Sequence, residues 1–342
     1  MNKPSPIKGR ASGKITLADV AIKAGVAMMT ASRALSQPDM VSAVLRQRVE
    51  QAVSELGYVP NRAARALATA QSNVIVVLVP SLSNAVFTDV LAGIQDALDK
   101  DHYQILIGNT RYSDAEEEKL LRIYLQSNPD GILLSGMSHS PRVQQILDDS
   151  QIPIVSMMDL ATDKDQFSVG FSQLQAGYTM TRYLIDKGHT QIGFMGAQLD
   201  ERTLKRAEGY RKAMQEAGLF DARLELMVPD PSTIALGAEL LGRMLANTPG
   251  CDAIFCCNDD LAHGAIYQCQ RRGIAVPEQM AICGFNDLPA SAWMKPSVTT
   301  ISTPRYRIGF EAANLLRAII KKELPANTKI DLGFTLMARE SA

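Results

Sequence analysis

From Asn73 onward the chain repeats one unit: a run of apolar residues, then an amphipathic stretch. Apolar runs lie at 74–79, 104–108, 131–135, 154–157, 192–196, 253–257 and 281–285. Between and after them come helical patterns at 87–99, 116–126, 176–187, 203–217, 234–245, 260–271 and 306–321. A strand apolar along its whole length is covered on both faces, and the intervening helices supply the crossovers that parallel pairing requires. The pattern predicts an α/β architecture of doubly wound parallel sheets. A 342-residue chain holds two or three domains at roughly 100–200 residues each, and the strand count allows two such sheets, hence two lobes.

The first 72 residues read differently. Residues 1–13 carry Pro, Ser, Gly and basic residues without periodicity and are expected to be a disordered basic arm. Thr16, with Asp19 three residues on, has the spacing of a helix N-cap, and the acid suits the positive end of a helix. Leu17, Val20 and Ala21 then share one face. Gly25 can take the left-handed backbone that ends this helix. A second short helix begins near Ala27 and carries Ala31, Ala34 and Leu35 inward. Pro38, Asp39 and Ser42 mark a break, and Val44, Val49, Val53 and Leu56 form the apolar stripe of a third helix. Two short helices at a sharp turn, packed by a third, make a helix-turn-helix of the kind that reads DNA.

Charge agrees. Residues 1–72 contain ten Lys/Arg and four acids, net +6, against −7 for the rest, although the whole chain is close to neutral at −1. A basic head on an acidic body fits a polyanionic partner for the head alone. Met28, Met29, Thr30, Ser32 and Arg33 fall at the start and outer face of the second helix, where a recognition helix meets base edges. Methionines offer apolar contact, for instance to a thymine methyl, rather than paired hydrogen bonds.

In order and at close spacing stand Thr-Leu-x-Asp-Val-Ala, Ala-Gly-Val, Thr-x-Ser-Arg and Gly-Tyr-x-Pro-Asn-x-x-Ala-x-x-Leu. By these motifs the chain resembles the LacI/GalR family of bacterial transcription regulators, over nearly its whole length. The resemblance implies a periplasmic-binding-protein-like core behind the head, and the following boundaries: reader 14–59, hinge helix and linker 60–72, first lobe 73–171 with 304–331, second lobe 172–303 with 332–342. Thr16 and Asn61 join the DNA-contacting set. The hinge helix would enter the minor groove, with Leu67 wedging a base step and Ala64 one turn earlier on the same face; unstacking costs about a few kcal/mol per step and is offset by the contacts that bent DNA permits. Two hinge helices must pair, so a homodimer on a palindrome is implied. The absence of a heptad run after Arg339 disfavours a coiled-coil tetramer.

Ligands in such a core bind between lobes, at the carboxyl ends of strands. Ser81, Asn84 and Phe87 follow the first strand; they serve either as helix caps or as hydroxyl partners and an apolar wall. The family places a ligand-binding arginine four residues before the aromatic Tyr210, which matches Arg206, and a guanidinium grips carboxylates or hydroxyls in pairs. The resemblance implies that Asn258, at the end of one strand, faces the ligand, while Asp259 is expected to cap the next helix. Asn286 stands where many relatives that bind neutral sugars have an aspartate. Arg305 would add a second cleft arginine, and Gln173 and Pro231 are edge candidates. An anion lost and a cation gained suggest an acidic ligand. The resemblance is to the sugar-acid branch, gluconate and 2-ketogluconate regulators, with a lean to 2-ketogluconate.

Other chemistries find little support. The five cysteines have no metal spacing and read as reduced, structural thiols. The histidines do not cluster, and neither a cofactor nor a metal is expected. Without an apolar run of about 20 residues or a secretion signal, the chain is expected to be cytoplasmic, with the chromosome. A sugar-acid dehydrogenase, the rival from another class, would need a Gly-x-Gly-x-x-Gly turn that is missing. The expectation is a ligand-controlled repressor of sugar-acid utilisation genes; a neutral-sugar regulator or an activator of the same fold is the alternative.

Overall fold

A computed structural model describes residues 15–59, 71–101, 103–323 and 327–342. It divides into two compact units, residues 1–72 and 73–342. The expectations for the arm and for Asn61, Ala64 and Leu67 lie outside the described residues.

In the first unit, α1 (Leu17–Ala24), α2 (Met28–Ser36) and α3 (Ala43–Leu56) surround a small core of Val20, Ala21, Ala24, Ala31, Ala34, Val49, Ala52 and Tyr58. The capping box forms: the Asp19 carboxylate accepts from the Thr16 backbone N–H at 2.8 Å and from its hydroxyl at 2.7 Å. Gly25 takes φ 63°, the left-handed geometry that ends α1 and turns the chain into α2. One expectation fails. Val44 is 69% exposed, because α3 begins at Ala43 and this residue, in its first turn, points outward; Ala52 takes the core place instead.

The second unit holds two six-stranded sheets. The first comprises β1 (Val74–Val79), β2 (Gln104–Asn109), β3 (Gly131–Ser135), β4 (Ile154–Met157), β5 (Ser168–Gly170) and β11 (Lys329–Asp331), ordered β11-β5-β4-β3-β1-β2 and parallel throughout. The second comprises β6 (Ile192–Gly196), β7 (Glu225–Met227), β8 (Ala253–Cys256), β9 (Ala281–Asn286), β10 (Thr299–Ser302) and β12 (Thr335–Met337), ordered β12-β10-β9-β8-β6-β7, with only β12 antiparallel. Strands β1 and β6 are buried at every position, as runs covered on both faces must be.

Helices α4 (Ala85–Leu98), α5 (Asp114–Tyr124), α6 (Pro141–Ser150) and α11 (Arg305–Ile320) serve the first sheet. Helices α7 (Gln173–Asp186), α8 (Glu201–Glu216), α9 (Ile234–Asn247) and α10 (Asp259–Arg272) serve the second. The chain passes between sheets three times, after β5, after β10 and after β11.

Three helix pairs touch backbone to backbone through glycines. A Cβ on Gly309 would stand 2.0 Å from the Val90 carbonyl oxygen, and one on Gly93 would stand 2.1 Å from that of Tyr306, so α4 and α11 interlock reciprocally. Gly177 and Gly209 do the same for α7 and α8, and Gly237 and Gly264 for α9 and α10. All five cysteines are buried and unpaired. Among the described residues no helix is long and apolar enough to cross a membrane, and no cluster of metal-ligating side chains occurs.

Candidate ligand cleft

In each sheet the strand order reverses at one place, between β1 and β3 in the first and between β6 and β8 in the second. Crossovers leave these points in opposite directions and open a crevice at the strands' carboxyl ends. A cavity of about 220 Å³ sits there, shared by the two lobes. Ser81, Ser83, Asn84, Phe87 and Tyr112 line it from the first lobe; Gln198, Asp200, Arg202, Arg206, Pro231, Ser232, Asn258, Asp260 and Asn286 line it from the second.

Several linings double as caps, which fixes their aim. Asn84 accepts from the Val86 N–H at 3.0 Å as N-cap of α4, and Ser81 accepts from the Asn84 N–H at 3.1 Å. Asn258 caps α10 through the Leu261 N–H and exchanges hydrogen bonds with Ser232. The two readings of Ser81 and Asn84, cap or lining, are therefore not exclusive.

Arg206 is 6% exposed. Its Nε donates to Gln173 Oε1 at 2.8 Å, its Nη1 to the Cys257 carbonyl at 2.6 Å, and its guanidinium lies 3.8 Å from the centroid of the Phe285 ring. Burial pushes its pKa down, opposed by the charge of Asp200, to about 10. It remains a cation at neutral pH, with Nη2 bearing no partner among the described residues.

Arg202, one helical turn before Arg206, was not anticipated. It lies 5.2 Å from the centroid of the Phe87 ring across the cleft, and binds Asp200 through Nε at 3.0 Å and through Nη2. Asp200 also caps α8 by accepting from the Thr203 N–H at 2.9 Å. Burial works to raise its pKa, but the charge of Arg202, the Thr203 N–H and Arg206 hold it down to about 2. Tyr112, also unanticipated, has φ 57° after Arg111 at φ 53°. Burial raises the pKa of its hydroxyl, so the phenol stays protonated.

Asn286, the last residue of β9, is 6% exposed at φ 105°, followed by Asp287 at φ 55°. Left-handed geometry at such residues costs on the order of 1–3 kcal/mol each and persists only where the surroundings impose it.

Two expected contacts do not line the cavity. Gln173 is fully buried behind Arg206, held between that guanidinium and the Met158 carbonyl, to which its amide donates at 2.7 Å. Arg305 is drawn away by a carboxylate: Nε pairs with Asp89 at 2.8 Å, while Nη1 donates to the carbonyl of Asn286. Asp259 is not the cap that was expected, since Asn258 takes that place. It is buried, accepting from Thr300 Oγ1 at 2.7 Å and from the Leu288 N–H at 2.6 Å, and burial raises its pKa to about 6.

Contacts across the cleft hold the lobes together. Glu201 Oε2 accepts from the Ser138 N–H at 2.9 Å and from the Met137 N–H at 3.3 Å, and Lys205 pairs with Asp159 at 2.6 Å.

In the first unit, most of the α2 residues expected to meet DNA lie at the surface. Met28 and Met29 are 59% and 71% exposed, Ser32 and Arg33 are exposed, and Thr30 is half-buried. Thr16 is half-buried at the start of α1.

Residues 16–61 match the model of bacterial regulatory proteins of the lacI family, and residues 72–339 match that of periplasmic binding proteins and the sugar binding domain of LacI family. The chain belongs to the LacI family of transcription regulators. Its LacI-family relatives include the HTH-type transcriptional regulator GntR of Pseudomonas aeruginosa, 48% identical with 97% of each chain covered. The HTH-type transcriptional regulator IdnR of Escherichia coli is 37% identical, covering 94% of this chain and 97% of that one. Among solved structures, the transcription regulator GntR from Chromobacterium violaceum is 51% identical and superposes with a TM-score of 0.77, over 78% of this chain and 98% of that one. A DNA-reading head and a sugar-binding core make this LacI-family member a DNA-binding regulator rather than an enzyme, in the branch of the GntR- and IdnR-named proteins.

Proposed function

We propose that this regulator represses sugar-acid utilisation genes and leaves its operator when a six-carbon sugar acid, gluconate foremost, enters the cleft. The observation that carries the reading is the pair of cleft arginines: Arg202 is paired with Asp200, while Arg206 forms no ion pair with either cleft carboxyl, Asp200 or Asp260, among the described residues. The unpaired guanidinium of Arg206 shares the cavity with Asn286, an amide in place of an acid. The hydroxyl-bearing carbons of an aldonate find Ser81, Asn84, Asn258 and Asn286, and its carboxylate finds Arg206 Nη2. The GntR- and IdnR-named relatives favour gluconate over 2-ketogluconate within this class.

Control follows from differential affinity. A ligand shifts the balance between a DNA-binding and a released state only as far as it prefers one of them. Two copies of the chain would present paired hinge helices, residues 60–72, to a palindrome, with Leu67 as the wedge and Ala64 and Asn61 beside it. The lobes would divide at the three crossings, as 73–171 with 304–331 and 172–303 with 332–342. The protein would work in the cytoplasm, at the chromosome.

Calorimetry of the full-length protein against gluconate, 2-ketogluconate and glucose, paired with a footprint on DNA upstream of its own gene, tests the reading. Sugar acids are expected to bind and lift the footprint, while glucose does neither. Binding of glucose in preference to both acids, or a footprint strengthened by ligand, overturns it.

A further inference from the structure

Asn286 and Asp287 form a turn of two consecutive left-handed residues, neither of them glycine. What holds it comes from two directions. From the second lobe, Thr300 Oγ1 accepts from the Asp287 N–H at 3.3 Å, Asp259 accepts from the Leu288 N–H, and Arg339 pairs with the Asp287 carboxylate at 2.7 Å. From the other direction comes Arg305, the first residue of α11, which packs on the first lobe. Its Nη1 donates to the Asn286 carbonyl, and its Nη1 and Nη2 reach the Asp287 carbonyl at 3.4 and 3.5 Å. The same guanidinium pairs through Nε with Asp89 on α4, the helix whose cap, Asn84, lines the cavity. One planar group therefore holds the turn that aims Asn286 and the helix that leads from the opposite wall.

We propose that Arg305 is a positioning residue for the effector response: it sets the Asn286 turn, and through Asp89 it ties the state of that turn to the first lobe. The proposal rests on the reading that Asn286 faces the effector. Arginine suits the task where lysine does not, because separate N–H groups of one rigid fork meet two carbonyls and a carboxylate at once, while an ammonium is a single point of charge. Asp89 does not line the cavity, so its part is coupling and not contact.

The test uses the full chain, gluconate as probe, and an operator duplex. For Asp89→Asn, the gluconate Kd of free protein is expected to stay within about threefold of wild type. The ratio of operator affinity without and with saturating gluconate is expected to fall by about tenfold or more. By reciprocity the same loss must appear as gluconate binding nearly equally to free and operator-bound protein, a signature that general destabilisation does not produce. Arg305→Lys is expected to weaken gluconate binding by about tenfold and to lose coupling as well. Wild-type Kd and wild-type coupling in both variants, with Asn286→Ala weakened, overturn the proposal and leave the site reading standing. An Asn286→Ala variant that binds gluconate as wild type does overturns both.

Discussion

Arg206 is clamped by its own protein surroundings: its guanidinium lies 3.8 Å from the centroid of the Phe285 ring, with two of its nitrogens committed to Gln173 and to the Cys257 carbonyl. A cation held in this way meets an incoming carboxylate without giving up side-chain freedom at that moment, which is what preorganisation contributes to affinity.

Arg206→Lys keeps the charge but loses the fork. Hydrogen bonds to charged groups are worth about 1.5–3 kcal/mol, so gluconate affinity is expected to fall by about 10–100-fold, read by calorimetry. Operator affinity without ligand is expected to remain unchanged, since the variant lies far from the reading head in sequence and function. An unaltered gluconate Kd would remove Arg206 from the site.

On the DNA side, Met29 and Arg33 are expected to separate apolar base contact from phosphate contact. Met29→Ala should cost roughly 1 kcal/mol on the specific operator and little on random DNA, with the salt dependence unchanged. Arg33→Ala should weaken both DNAs and reduce the slope of affinity against salt by about one phosphate contact. Electrophoretic titrations across a salt series read both quantities.

Half-buried Asp200 and fully buried Asp259 titrate in opposite senses. Asp200 is held down to about 2, below its ordinary 3.8, so its contribution is present above pH 3.8 and lost as pH falls through 2. It amounts to about 2 kcal/mol. Asp259 is raised to about 6, so its contribution is complete below 3.8 and lost as pH rises through 6, about 3 kcal/mol in all. Urea midpoints measured from pH 2 to 7 are expected to lose the acid-side fall in Asp200→Asn and the decline between pH 4 and 6 in Asp259→Asn.

Gly309→Ala places a methyl group against the Val90 carbonyl. Overpacking of this kind costs typically about 1–3 kcal/mol, and here the obstacle is backbone rather than a side chain that can turn aside. A lowered unfolding midpoint is expected, while a helical control, Gly242→Ala, should cost less, because its added Cβ meets only the movable end of the Arg272 side chain at 3.1 Å. Equal losses in both variants would show that crowding is not the cause.

The long strands were legible because burial on both faces leaves no polar position in the run, as in β1. Short strands such as β5, β7 and β11 gave no such signal: Ser168 is fully buried yet polar, and Lys329 and Asp331 bracket a single apolar residue. Arg206 was legible only through the family resemblance, which implies an arginine four residues before Tyr210. Arg202 was not, although it stands four residues earlier in the same string and so must share that face of α8. Arg305 shows the limit of such reading. A long cation near a cleft looks the same in sequence whether it reaches the ligand or a carboxylate, and Asp89, more than two hundred residues away, decided which.

Helices α4 and α11 meet at Gly93 and Gly309 with no cushion of side chains between their main chains at that crossing. Close-packed interiors compress little and pass strain on, and here main chain presses directly on main chain. Whatever tilts the first turn of α11 must swing α4 with it, like two rods bolted at one joint, so movement that begins at Arg305 cannot dissipate between them.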